Sequence, residues 1–349
     1  MTATLILAGD VNLMNVTDAA LPFRHVTDTL NAADAVFANL ECCLHLPARR
    51  SHAVEGFFAD PQIGGEALRL GGIDAVGVAN NVNYGADNIA ASLARLDQLG
   101  VAHTGAGANL AAARAPAMIV REALRVSAVQ RSSVYWPTDH EAAADAPGIA
   151  VLRGHTAYQV PPGRIAPGVP PPNRPGVPPL IVTWADAAYL NEFQKDIAAL
   201  RPAADIVVAS SHWGLGREPL QYMTDIAHAA IDAGADVVMG HGPHYPLPVE
   251  IYKGRPVFYG LGNLTFSTGH LGRKHAGWIG MMAELTFARG TVSGCHFGFV
   301  RSDEKGASFL SRLGDEGETL ADLTARSKKL GASLEPEGDR VRVTTHENK

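Results

Sequence analysis

Along the chain, short apolar runs ending in Gly, Asn or Asp alternate with segments whose apolar residues recur three or four positions apart. The runs at 5–8, 35–38, 75–79, 206–210 and 237–239 predict strands, and the segments 25–33, 86–99, 186–201 and 221–233 predict helices. Within 86–99, Ile89, Leu93, Leu96 and Leu99 share one face, and Gly100 is placed to close the helix. This alternation predicts an α/β fold, a largely parallel sheet covered by helices. From about 248 strands follow without helices: 249–252 and 257–259 about the turn pair Lys253 and Gly254, then 278–287 and 291–300 about Arg289 and Gly290. These read as antiparallel hairpins closing the far side of the fold. The proline-dense segment 161–179 can be neither helix nor central strand, and reads as an extended surface loop, inert or a lid. One more helix is expected at about 315–330.

At 349 residues and 46% hydrophobic, the chain can bury a large core. Its 29 Lys and Arg against 35 Asp and Glu give a net charge of -6, with no basic stripe interleaved with aromatics, so no nucleic-acid partner is expected. The first ten residues read as a strand and not as a signal peptide. No run reaches the ~18 apolar residues of a membrane span. Cys42, Cys43 and Cys295 cannot build a disulfide framework, and a cytoplasmic location is expected.

Metal-competent residues stand just past the ends of the predicted strands. Asp10 follows 5–9, Glu41 follows 36–40, Asn80 and Asn81 follow 76–79, His212 follows 207–211, and His241 follows 237–240 with His244 three residues on. In a parallel α/β sheet the carboxyl ends of the strands converge on one crevice, so residues some 200 positions apart can share a site. Two carboxylates, amide oxygens and two or three imidazoles form a mixed oxygen and nitrogen set suited to Zn²⁺, Mn²⁺ or Fe²⁺. Taken singly, each has a plainer reading: Asp10 and the asparagines as turn formers or helix caps, Glu41 as a surface charge, His212 as a core histidine. Their coincidence at five strand ends favours one shared site.

The motifs Gly9-Asp10-Val11-Asn12-Leu13, Ala38-Asn39-Leu40-Glu41, Ala79-Asn80-Asn81, the stretch 100–107, Ser211-His212-Trp213-Gly214, Gly240-His241-Gly242-Pro243-His244 and Gly260-Leu261-Gly262-Asn263 follow in this order. Together they resemble the motif series of the CapA family, associated with poly-γ-glutamate capsule synthesis, within the calcineurin-like metallophosphatase superfamily. The resemblance implies a four-layer α/β/β/α sandwich with two central mixed sheets over 1–300, and an extension, 301–349, packed on the same domain. It implies a site for one or two divalent ions (Mn, Zn or Fe) held by Asp10, Glu41, Asn81, His212, His241 and His244. Asp10, His212 and His244 are the expected catalytic groups.

Three departures qualify the chemistry. Asn12 stands where many members of the superfamily have His, Val82 where relatives continue Asn-Asn-His, and Gly242 in the first place of the usual His-Pro-His. Valine cannot give a leaving group its proton. The expected function is a metal-dependent hydrolase acting through a metal-bound hydroxide on an acidic, small-molecule or peptide-like substrate: an amide, possibly γ-glutamyl in kind, or a phosphoester. The alternatives are an epimerase that removes a Cα proton from a peptide or amino-acid amide, and a non-catalytic metal-binding accessory protein of capsule synthesis. Substrate contacts are expected from Asn80, Arg131, His270, Arg273 and His275, the last three in the Gly-rich basic stretch 267–275; 131–137 and 155–158 are further candidates.

Overall fold

The apolar runs form the expected strands, but these strands divide between two large sheets. The computed structural model describes residues 2–47, 57–121, 124–160, 176–269, 272–288 and 290–345. The chain begins β1 (Thr2–Asn12), α1 (Thr27–Asn31), β2 (Ala35–Leu40), α2 (Pro61–Leu70), β3 (Ala75–Gly77), α3 (Ala86–Leu99) and β4 (Ala102–Thr104). It continues β5 (Ala106–Gly107), α4 (Leu110–Arg114), β6 (Ala117–Arg121), β7 (Leu124–Ser132), β8 (Gly148–Ile149), β9 (Gly154–Gln159), β10 (Leu180–Ala185), α5 (Ala187–Leu200) and β11 (Ile206–His212). Next come α6 (Gln221–Asp232), β12 (Val237–His241), β13 (Val249–Tyr252), β14 (Arg255–Phe258) and β15 (Asn263–Phe266). It ends with β16 (Gly280–Ala288), β17 (Thr291–Ser302), β18 (Ser308–Leu310), α7 (Gly317–Lys328), β19 (Ala332–Glu337) and β20 (Arg340–Thr345).

The fold is mixed α/β with several sheets. A ten-stranded sheet runs β19-β20-β17-β16-β1-β2-β3-β4, with β15 also on β1 and β18 on β17; a six-stranded sheet runs β13-β14-β12-β11-β7-β6. β1 to β4 are parallel, as are β7, β11, β12 and β14, so the predicted parallel pattern exists as two blocks in different sheets. The late strands correct the sequence reading. β16 pairs antiparallel with β1, which puts the β16–β17 hairpin in the middle of the larger sheet and not at its far side. The tail supplies α7 as expected, but also β19 and β20, and β20 pairs with β17. The first predicted helix shrinks to Thr27–Asn31, and residues 161–175 of the proline-dense segment lie outside the described residues.

Strand alternation decides which side chains meet. Leu5, Leu7 and Phe37 share a core with Val126, Val208, Met239 and Phe258 of the smaller sheet. Their neighbours Ile6, Ala8 and Val36 pack instead with Leu68 of α2 and with Ile89 and Leu96 of α3. On the smaller sheet, Val129, Val207 and Val238 pack with Phe193 and Ile197 of α5 and with Met223 and Ile226 of α6. Asp60 and Asp186 start α2 and α5 by accepting the free amides of the first turn. Gly100 ends α3 in the left-handed region.

The two parallel blocks bring their carboxyl ends to one place, with Asp10 opposite Asn39 and His212 opposite His241. At that end β1 changes neighbour: residues 2–8 pair with β16, whereas Asp10 to Asn12 pair with β15. Gly9 is the crossing point, and a Cβ there would lie 1.9 Å from the Gly262 carbonyl oxygen. That oxygen accepts the Asp10 amide at 2.8 Å and cannot rotate away. Gly9→Ala is therefore expected to cost about 3 kcal/mol, the upper end of ordinary overpacking, measured as a lower urea midpoint at unchanged m-value. An unchanged midpoint would show that the crossing is softer than its geometry indicates.

Candidate metal centre

Asp10 is the hub. Its side chain is fully buried, and Oδ1 accepts from Asn39 Nδ2 at 2.8 Å while lying 3.6 Å from His241 Nδ1. Oδ2 lies 3.1 Å from His244 Nδ1 and accepts the Gly242 amide at 3.3 Å. Two donor groups share this carboxylate: Asp10 with His212 and His241, and Asp10 with Glu41 and His244, the atoms of each lying within 4.8 Å of one another. His212 Nδ1 is 3.0 Å from His241 Nδ1, and its Nε2 is 2.8 Å from Asn81 Oδ1. The loop after β12 is shaped by Gly242, whose φ of +110° brings its amide back to Asp10. A Cβ at 242 would come within 3.1 Å of both His212 Cε1 and the Trp213 carbonyl, and at this φ any side chain is strained, so a histidine there is disfavoured. His241, still on the strand, supplies the imidazole in its place.

The electrostatics suit a cation. Burial pushes the Asp10 carboxyl up, but the hydrogen bond from His244 and the nearby imidazoles outweigh it and hold Asp10 well below the usual range. Burial and the neighbouring Asp10 drive Glu41 well above its ordinary value. Its Oε1 is 3.6 Å from His244 Nε2, and its buried Oε2 has no hydrogen-bond partner among the described residues. Burial alone would lower His244, yet Glu41 and Asp10 raise it to about 10. Desolvation carries His241 down to about 4 and His212 well below its normal value, leaving both neutral, the form that binds metal. A partnerless Glu41 oxygen on one side of the Asp10 carboxylate, and the two neutral imidazoles of His212 and His241 on the other, fit a divalent ion.

Behind the donors lies a layer of amides, of which sequence reading names only Asn80 as a site residue. Asn39 Oδ1 accepts from Gln130 Nε2 at 2.8 Å and from Asn80 Nδ2 at 3.2 Å. Gln130 also reaches His241 Nε2 at 2.9 Å, where Ser210 Oγ meets it at the same distance, and its Oε1 accepts the Ala79 amide at 2.8 Å. Asn263 Oδ1 lies 3.0 Å from His244 Nδ1, and its Nδ2 lies 3.3 Å from His275 Nε2. A glutamine ending the stretch Val126-Ser127-Ala128-Val129 of a strand pattern is the available signal for Gln130.

The remaining candidates separate. Asn80 is fully buried and bonded to Asn39 and Leu40, so it braces the donors from behind. His275 stands beside His244, their ring centres 6.2 Å apart, whereas Arg273 is exposed on the same loop. His270 lies outside the described residues. Arg131 is not brought to the cluster: it follows Gln130 on β7, points to the opposite face, and is buried against Asp196 and the Phe193 ring. His155 stacks on Trp184 in the β9–β10 ribbon. Asn12 spends its amide on Met14 and Thr268, tethering the loop that carries His275. Trp136, on the 131–137 stretch, donates its indole N–H to the Asn81 carbonyl at 2.8 Å.

These shifts give metal-free protein a signed pH dependence. Between about pH 6.5 and 4.5 the unfolded chain gains protons on His212 and His241 that the fold refuses, which lowers stability as pH falls. The raised Glu41 offsets one of them, while His244 is charged in both states and Asp10 in neither state takes a proton. His140, which burial also lowers to about 4, refuses a further proton, so two net protons remain and stability is expected to fall by roughly 4 kcal/mol across that window. His241→Gln is expected to flatten the fall by about 1.4 kcal/mol per pH unit in urea titrations of EDTA-treated protein. A slope unchanged by the substitution would contradict the assignment.

Comparison with known proteins agrees with this geometry. The family model for the bacterial capsule synthesis protein PGA_cap matches residues 4–268. The PGA biosynthesis protein CapA of Bacillus subtilis is 41% identical over 99 residues, covering 28% of this chain and 24% of that protein. The capsule biosynthesis protein CapA of Bacillus anthracis is 25% identical over 284 residues, 76% of this chain and 60% of its own length. A Mycobacterium tuberculosis protein named as a probable polyglutamine synthesis accessory protein is 30% identical over 194 residues, 54% of this chain and 43% of its own. The chain thus spans less than two thirds of each of these relatives. With the family model matched across most of its length, the chain belongs to the bacterial capsule synthesis protein family PGA_cap.

Proposed function

We propose that this chain is a metal-dependent hydrolase acting on an acidic amide or peptide-like substrate, γ-glutamyl in kind, or on a phosphoester. The observation that carries the reading is the meeting of two donor groups at one fully buried carboxylate, Asp10, beside a Glu41 oxygen without a described partner. Asp10, Glu41, Asn81, His212, His241 and His244 would hold one or two ions of the Mn, Zn or Fe type. A bound ion of this kind polarises a carbonyl or phosphoryl oxygen and makes water more acidic. The chain's own groups fix the donors: Asn39 and the Gly242 amide hold Asp10, Gln130 and Ser210 hold His241, and Asn263 holds His244. Arg273 and His275, on the loop beside His244, would bind the anionic part of a substrate. The printed names of the relatives, capsule and polyglutamine synthesis, support an acidic polyamide as the substrate class.

The three cores support reading the fold as a four-layer α/β/β/α sandwich of the metallophosphatase kind over 1–300, with 301–349 packed on it. A cytoplasmic location belongs to the same proposal. No described helix is long and apolar enough to cross a membrane.

Val82 favours a second reading. It is fully buried and apolar where a proton donor to a leaving group is expected. Removing a Cα proton and returning it to the other face expels no leaving group, so an epimerase would not need that donor.

Purified protein loaded with Mn²⁺ or Zn²⁺ is expected to bind one or two ions and to cleave a member of a γ-glutamyl, peptide and phosphoester panel. Deuterium uptake at Cα without cleavage would replace hydrolysis by epimerisation. Fewer than one ion per chain would leave an accessory role and sink both enzymes. Asp10→Ala is expected to abolish binding, while Asn39→Ala, which removes only the support, weakens it about 10–100-fold by calorimetric titration.

A further inference from the structure

The loop that carries Asn81 is pinned on either side of that residue. Val82 is buried in the core with Ile89 and Leu96 of α3. Asn83 Nδ2 donates to the carbonyls of Val78 at 2.8 Å and Leu40 at 3.3 Å, and the Asn83 amide donates to Asn80 Oδ1 at 3.3 Å. The main chain of Asn81 itself has one hydrogen bond among the described residues, and it comes from another loop: the Trp136 indole N–H donates to the Asn81 carbonyl at 2.8 Å.

Residues 133–140, which follow β7, hold that indole in place. The Trp136 amide donates to Nδ1 of the fully buried His140 at 3.0 Å, which leaves the His140 proton on Nε2, 2.9 Å from the Asn83 carbonyl. Tyr84 Oη donates to the Thr138 carbonyl at 3.2 Å, and its ring meets Trp136 edge to face with centres 6.4 Å apart. The two loops are thus clipped together at the carbonyls of Asn81, Asn83 and Thr138.

We propose that Trp136 is a positioning residue of the metal centre: its indole fixes the main chain of Asn81, so that the Asn81 side-chain oxygen stands beside His212 before an ion arrives. This rests on the metal-dependent reading above and adds to it a group outside the donor set. Asn81 Oδ1 is already aimed, 2.8 Å from His212 Nε2. A neutral amide oxygen adds little to a metal site unless it is so aimed, because the entropy of fixing one residue is comparable to the worth of one hydrogen bond. Linkage makes the effect reciprocal: if the clip favours the ion, the ion holds the clip closed by the same factor.

Calorimetric titration of the EDTA-treated full chain with Zn²⁺ tests this. Trp136→Phe keeps an aromatic ring and loses the N–H, and is expected to weaken zinc binding about tenfold with unchanged circular dichroism. In an Asn81→Ala background the same substitution is expected to cost nothing further, which a general loss of stability would not produce. Wild type gives a reading that needs no variant: by nitrogen-15 NMR, solvent exchange of the Trp136 indole N–H is expected to slow about tenfold on saturation with Zn²⁺. A wild type that takes up no Zn²⁺ would remove the metal centre itself, and the role of Trp136 with it. Zinc affinity equal in wild type and Trp136→Phe, a tenfold loss repeated in full without the Asn81 side chain, or indole exchange indifferent to the ion would leave the metal centre standing and overturn the positioning role.

Discussion

A charged carboxylate with no access to water governs this structure. Asp10 has lost its hydration entirely, and a buried ion is tolerated only where opposite charge or donors replace the water. The replacements come from across the chain: an amide from β2, a backbone N–H and an imidazole from the loop after β12, and another imidazole from β12 itself. Each of these reaches Asp10 only because two parallel blocks of strands end together. The sheet topology and the chemistry of the site are thus one constraint seen at two scales.

That link explains which features were legible in the sequence. Strand ends are marked by a change from apolar to polar residues, and Asp10, Glu41, His212 and His241 were visible because strand position alone delivers them to the crevice. Facing is harder to read. Gln130 and Arg131 are neighbours on one strand, and which of them points at the site depends on the register of β7 against β11, a long-range fact with a period of two. Sequence expects Arg131 at the substrate, whereas the register turns Gln130 to the site and Arg131 to Asp196. The division into two sheets was hidden for a related reason: helix and strand alternation is local, whereas the choice of neighbour for β1 is settled by β16, more than 250 residues away.

The departures from the family pattern also become physical. Asn12 is no weakened ligand, because both ends of its amide are spent tying β1 to Met14 and Thr268. Gly242 is favoured by the positive φ of the turn that returns its amide to Asp10, where a side chain would be strained and would crowd His212 and Trp213. The loop therefore offers His241 from the strand and His244 from a left-handed position beyond it, with Asp10 between them. Two imidazoles reach the cluster from this loop, by a route different from the usual His-Pro-His.

The cluster is poorly compensated as a purely protein structure, and that bears on what it is for. Glu41 is forced towards its neutral form, His212 and His241 are denied protons, and one buried oxygen has no described partner. A hydrophobic core would remove all of these costs, since replacing buried ionic groups by well-packed apolar ones is often neutral or stabilising. The amide layer of Asn39, Gln130 and Asn80 does the opposite: it holds the donors in place at the expense of further buried polar groups. Structure held against its own stability in this way fits the proposed metal site, since a divalent cation at Asp10 would favour ionised Glu41 and neutral His212 and His241.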